Sequence, residues 1–261
     1  MSEPASMNNK TGLFKLRVCY QKMGRLSYLG HLEVINTLDR VIRRAGLPYA
    51  VTQGYSPHMR IGFSSALPVG TASKKEYYDV VLTEYRKLDE VLRLLKASCH
   101  PDLAPSRAAY IAMKTPNLGA SLTRMRYEIR IREHSNMSYS IEQLDEAFKK
   151  VCARKELVYQ RGAKIKTLSL ERTLISFEFD RLNAQHLLLS LDCHADNEGS
   201  LRPELVVAAL DNELDDGDKP IISSAIQQLS SFETYWPMRT EQYIEAADGG
   251  LIDPLDASLD I

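Results

Sequence analysis

The sequence predicts an α+β protein made of two ferredoxin-like, split βαβ halves, the second degenerate. Three observations carry that expectation. Apolar residues switch between period two and helical period, in the order β-α-β-β-β-α-β and then β-α-β-β-α. The stretch "KTPNLGASLTR", Lys114 to Arg124, gathers Pro, Asn, Gly and Ser between the two runs, as a junction does. The length of 261 residues, with 44% hydrophobic content, can bury a substantial core for one large domain or two small ones. The expected divisions are a disordered tail over 1–12, a first half over 13–114, a second half over 124–240 and an acidic disordered tail over 241–261.

"LFKLRVCY" places Phe14, Leu16, Val18 and Tyr20 on one side, so it reads as a strand. "KMGR" is a turn, and Ser27 is a candidate helix cap. Leu32, Ile35, Leu38, Ile42 and Ala45 then recur at helical spacing. Gly46 stops that helix, with Pro48 beyond it. "YAVTQ" and "MRIGF" read as short strands joined by "GYSPH". "EYYDVVLTE" is a strand, "KLDEVLRLLKAS" a helix with Leu88, Val91, Leu92 and Leu95 inside, and "AAYIAMK" a strand.

The second run opens with "RYEIRIRE" as a strand. "SIEQLDEAFKKVCAR" is a helix that begins with a serine cap and buries Ile141, Leu144, Phe148 and Val151. "LVYQ", "SLERTLISFEF" and "HLLLSLDC" read as strands. "RPELVVAAL" reads as a short helix with Pro203 in its first turn.

Composition excludes several classes. No apolar run reaches eighteen residues, so no transmembrane helix is expected. The opening "MSEPASMNNKTG" lacks the apolar core of a secretory signal. Cys19, Cys99, Cys152 and Cys193 lie far apart, which argues against a zinc knuckle, a CxxC redox pair or a disulfide scaffold. Free thiols in a reducing cytoplasm are the expectation, with no metal and no cofactor.

The net charge of -1 conceals a strong asymmetry. Residues 14–75 hold ten basic side chains against Glu33 and Asp39, a net +8. From Asp192 onward, sixteen acids face Arg202, Lys219 and Arg239, a net -13. A basic head of this kind points to a polyanion partner. Arg40, Arg43 and Arg44 share one helical face, and the following loop adds Tyr55, His58 and Arg60. Arginine forks grip phosphate and stack on bases, and an aromatic between cations offers a base its π face. The alternative is a solvated helix face followed by an ordinary turn.

Gly54, Gly62 and Gly70 bound a loop able to wrap phosphate with backbone N–H groups, yet it fits no P-loop or dinucleotide fingerprint. His31, at the helix start, and His58 are the candidate acid–base residues, with Tyr28 nearby in sequence. A capping or packing role for His31 is the alternative. His134, His186 and His194 lie in separate segments and form no metal motif.

The block "GRLSYLGHLEVINTLDRVIRRAGLPYAVTQGYSPHMRIGFSSALPVG", followed by "EYYDVVL", resembles the radical-SAM-linked family of uncharacterised bacterial proteins. The family's motifs fall here on Gly24-Arg25, His31-Leu32, Arg43 to Pro48, Thr52 to Pro57 and Ser64 to Gly70. "RGAKIKTLSLERTL" and "LRPELVVAAL" resemble later family segments more loosely, and Ser169 stands where the family usually has Asp. The resemblance spans roughly residues 14–240. It implies RNA metabolism and a radical SAM protein acting in trans, since this chain has no CxxxCxxC for an iron–sulfur cluster. A more distant likeness, mostly of fold, is to ferredoxin-like CRISPR repeat-processing endoribonucleases.

The expectation is therefore an RNA-binding accessory protein that uses Arg25, Arg40, Arg43, Arg44, Tyr55 and Arg60. Two alternatives stand beside it. One is a metal-independent endoribonuclease using His31; the other is a protein-interaction adaptor without RNA binding.

Overall fold

Alternation in the opening strand turns Leu16, Val18 and Tyr20 toward two helices, and this sets the first layer. The structure, a computed structural model, describes residues 12–196 and 199–256. Its first elements are β1 (Phe14–Lys22), a 3-10 turn over Gly24–Tyr28, α1 (His31–Arg44), β2 (Ile61–Phe63), β3 (Ala72–Leu82), α2 (Leu88–Ser98), β4 (Pro105–Ile111) and α3 (Leu118–Ser121). The strands lie in the order β4-β1-β3-β2, each pair antiparallel. Val34, Leu38, Val41 and Ile42 of α1 meet Leu16, Val18, Tyr78, Val80 and Leu82 of the sheet, with Val91 and Leu95 of α2. Gly46, at φ +65°, ends α1 where a side chain would be strained.

The chain continues with β5 (Arg124–Glu133), α4 (Ile141–Ala153), β6 (Glu156–Arg161), β7 (Lys164–Ser169), α5 (Leu170–Thr173), β8 (Leu174–Arg181), β9 (His186–Asp196), β10 (Gly199–Ser200), α6 (Pro203–Leu214), β11 (Phe232–Glu245) and β12 (Leu251–Ile252). The order β11-β5-β9-β8, again all antiparallel, repeats the arrangement of the first half. The hairpin β6-β7 is inserted between α4 and β8 as a sheet of its own. β11 also runs parallel to β3 through Met238↔Ala72 and Arg239↔Ser73. This contact joins both halves into one ten-stranded mixed sheet.

Several expectations need correction. The buried stripe of α1 is Val34, Leu38, Val41, Ile42 and Ala45, while Leu32 faces solvent. Ser27 is not the cap of α1, because its hydroxyl is spent on the Gly24 carbonyl (2.8 Å). The helix begins after Gly30, whose N–H is accepted by the Glu33 carboxylate (2.7 Å). "SLERTLISFEF" is broken by the helical turn α5 rather than forming one strand.

The junction is not loose. Leu118 and Leu122 are buried, and Thr123 exchanges backbone bonds with Tyr243 and Ala195. Nor are residues 241–256 a disordered tail. They complete β11, pair as β12 and bury Leu255, while the Pro254 carbonyl accepts from the buried Arg17 guanidinium (3.0 Å). The expectations for residues 1–11 and 257–261 lie outside the described residues. Among the described residues, no helix is long and apolar enough to cross a membrane.

Candidate nucleic-acid interface

The last turn of α1 and the loop after it form one surface. Tyr49 bridges to Leu82, and Val51 bridges to Met59, so residues 49–60 fold back as a narrow ribbon beside β3. Thr52 N–H donates to the His58 carbonyl (2.8 Å), and His58 N–H donates to the Thr52 hydroxyl (3.0 Å). These bonds pinch the ribbon below its tip. Gly54 takes φ +139° there and Pro57 stiffens the return, leaving the Tyr55 side chain fully in solvent at 107% relative exposure.

The three arginines of α1 are all exposed but are not equivalent. Arg43 donates twice to Asp39 (2.7 and 3.3 Å) and once to the Tyr49 hydroxyl (2.6 Å), and its guanidinium lies over the Tyr49 ring at 5.0 Å. It ties the helix to the base of the ribbon. Asp39 hydrogen bonding holds its pKa above the ordinary arginine value. Arg40 and Arg44 have no such partners among the described residues. Arg25 is exposed on the 3-10 turn, and Arg60 is half-buried at the foot of the ribbon.

His31 and His58 do not meet. His58 belongs to the ribbon, whereas His31 lines a separate cavity of about 10 Å³ with Tyr20, Lys22, Val34, Ser64, Leu67 and Glu76. Burial lowers the His31 pKa, with Glu76 opposing and Lys22 adding to the shift, so the ring is neutral at pH 7. The space suits about one water, not a nucleotide.

Behind this cavity lies a buried network that the sequence did not reveal. Glu76 accepts from Arg239 (3.0 and 3.3 Å), Gln242 (3.3 Å) and Ser64 (3.2 Å). Arg239 also donates to the Tyr127 hydroxyl (3.2 Å). Lys22 is 2% exposed and donates to the Leu29 carbonyl (2.8 Å); burial is the main cause that lowers its pKa to about 8. Apart from Ser64, which follows β2, these side chains come from β1, β3, β5 and β11, so only the assembled sheet brings them together. Among the described residues, no three His, Cys, Asp or Glu side chains group as metal ligands.

Comparison with solved structures finds distant likenesses. A chain in a crystal structure of a Cbf5-Nop10-Gar1 complex matches at 10% identity with a TM-score of 0.45. The match covers 92% of this chain but 56% of that one, so the present chain spans about half the length of its relative. An unknown protein from Galdieria sulphuraria matches at 11% identity with a TM-score of 0.23, over 78% of this chain and 93% of its own. No curated protein matches. A family model described as an uncharacterised protein conserved in bacteria, DUF2344, matches residues 15–203, from β1 to the start of α6, and the chain belongs to that family.

Proposed function

We propose that this protein binds single-stranded RNA through the ribbon of residues 49–60 and the outer face of α1, as an accessory without catalysis of its own. The observation that carries the reading is the fully exposed Tyr55 ring on a pinched tip, on a ribbon whose base Arg43 ties to the helix that bears the exposed Arg40 and Arg44. Tyr55 supplies a stacking face, and Arg40 and Arg44 supply charge for phosphates. Arg43 serves as the brace between helix and ribbon, with Arg25 and Arg60 at the margins. His58 contributes a further exposed ring. A radical SAM or RNA-processing enzyme is the proposed partner in trans, supported by the resemblance of the Gly24–Gly70 block. We also read each β4-β1-β3-β2 and β11-β5-β9-β8 unit as a ferredoxin-like half, supported by the shared antiparallel order.

Anisotropy of a labelled RNA, measured across a salt series, tests the reading. For single strands the log–log salt slope changes by about 0.7 per phosphate contact, so Arg40→Ala with Arg44→Ala should flatten it by roughly 1.4. An unchanged slope would move the site away from α1. RNA cut by the wild type in the presence of chelator, and left whole by His31→Ala at equal affinity, would replace this reading with the endoribonuclease.

A further inference from the structure

The two faces of the sheet are treated differently along its length. In the first half, the face opposite the helices is covered by α3 and the residues around Leu255, which pack on Cys19 and Tyr77. In the second half the corresponding face is open. There β5 presents Arg124, Arg126, Glu128, Arg130 and Arg132 at alternate positions, while Met125, Tyr127, Ile129 and Ile131 point into the core. Register places Arg130 between Leu188 of β9 and Trp236 of β11. Glu128, Arg130, His186, Leu188, Trp236 and Met238 line an open cavity of about 390 Å³, within the range of small-ligand sites.

The chemistry of this cavity is specific. Trp236 is 46% exposed although it lies within the sheet. The His186 ring lies nearly parallel to it, at 28° and 6.2 Å between centroids. Asn183 Oδ1 accepts from the His186 and Gln185 backbone N–H groups (3.1 Å each) and lies 3.0 Å from His186 Nδ1. That oxygen can only accept, so Nδ1 carries the proton and the imidazole is fixed beside the indole. The other charges on this face are largely spoken for. Arg124 and Arg126 pair with Asp192, Arg132 with Glu233, and Lys74 approaches Glu128 at 3.9 Å. Arg130 is exposed and has no such partner among the described residues.

We infer that this open face is a second nucleic-acid site, which takes an unpaired base of single-stranded RNA on Trp236 and its phosphate on Arg130. A flat aromatic on a sheet stacks any base, and a free guanidinium beside it answers the phosphate. Glu128 lies where a carboxylate can accept from a base amino or imino N–H, which favours bases that carry such donors on their edge. The site does not depend on the ribbon at residues 49–60.

Trp236 is the chain's single tryptophan, so its emission reports this face alone. The full-length protein is titrated with a mixed-sequence single-stranded oligoribonucleotide, with the same sequence as single-stranded DNA and with the RNA duplex. Label anisotropy is followed in parallel. The expected result is saturable quenching by the single strands and little by the duplex. Arg130→Ala should shift the quenching midpoint upward, and Trp236→Ala made in the Tyr55→Ala background should weaken anisotropy-detected binding relative to Tyr55→Ala alone by roughly 5- to 150-fold. Tyr55→Ala should leave the quenching in place. Saturating anisotropy with unchanged emission overturns this site and leaves the ribbon reading standing. Equal quenching by the duplex overturns base stacking. An absence of binding in every arm overturns both sites.

Discussion

Lys22 shows what a single buried charge does in this core. Its ammonium has the Leu29 carbonyl at 2.8 Å, and burial lowers its pKa to about 8 despite attraction from Glu76, with Arg239 adding to the fall. An unfolded lysine titrates near 10.4. Between about pH 8 and 10.4 the unfolded chain therefore holds more protons than the folded one, and stability rises with pH across that window. Below pH 8 the lysine is charged in both states, and the full cost of burying it remains. Lys22→Met removes that cost. Urea unfolding should show the variant gaining on the wild type as pH falls from about 10.4 to 8, by up to ~3 kcal/mol, and then holding level. A difference that stays constant over that window would mean that Lys22 titrates as an ordinary lysine.

At the level of elements, the ribbon and the junction exchange the roles that composition gave them. Residues 115–123 contain Pro, Asn, Gly and Ser, yet α3 buries Leu118 and Leu122, and Lys15 donates to the Thr115 carbonyl (2.8 Å). The base of the ribbon pairs with β3, but its tip is pinned by the bonds between Thr52 and His58, and every residue from Val51 to His58 is exposed. Limited proteolysis should therefore cut first at residues 53–57 and spare 115–123, with fragments identified by mass. Early cleavage at 115–123 would show that the junction opens independently.

The long helices were legible because their signals are local, whereas the single turns α3 and α5 were not. Ser140 and Gln143 cap α4 reciprocally, and its apolar residues keep one period. β11 was not legible, for two reasons. Pro237 sits inside it, and register shifts between Phe232 and Thr234 and between Arg239 and Glu241 break the alternation. The proline is tolerated because β11 meets β3 only from Met238 onward, past Pro237. The same distinction runs through the candidate sites. Clustered arginines and a Gly-Tyr-Ser-Pro turn can be read from sequence, whereas Lys22, Glu76 and Arg239 converge from separate strands and leave no local trace. Trp236 escaped notice with the strand that carries it.

Across the whole molecule, the ionic joint between the halves matters as much as the shared strand. Arg239 is 1% exposed and reaches from β11 to Glu76 of β3 and Tyr127 of β5. Unfolding either half alone would part Arg239 from Glu76 and open the shared sheet where β11 meets β3. Unfolding should thus be a single event. Trp236 emission, which reports β11, and far-ultraviolet dichroism, which reports the whole chain, should give coincident urea transitions. Two separated midpoints would show that the halves come apart before they melt.

The late position of β11 also has a consequence for how the protein is made. β3 and β5 leave the ribosome well before Phe232, and translation at about 5–20 residues per second puts roughly 5–20 s between the end of β5 and the start of its neighbour. For that interval, the nascent chain carries two strand edges with no sequence yet available to close them. Asp211 of α6 bears on this moment, since its carboxylate accepts the backbone N–H groups of Ser230 and Ser231 (2.9 and 2.8 Å) immediately before β11. The helix that precedes the last central strand thus holds a docking point for its first residues. Unpaired edges invite pairing with another chain, so the interval before that docking is when the growing chain has most need of a chaperone.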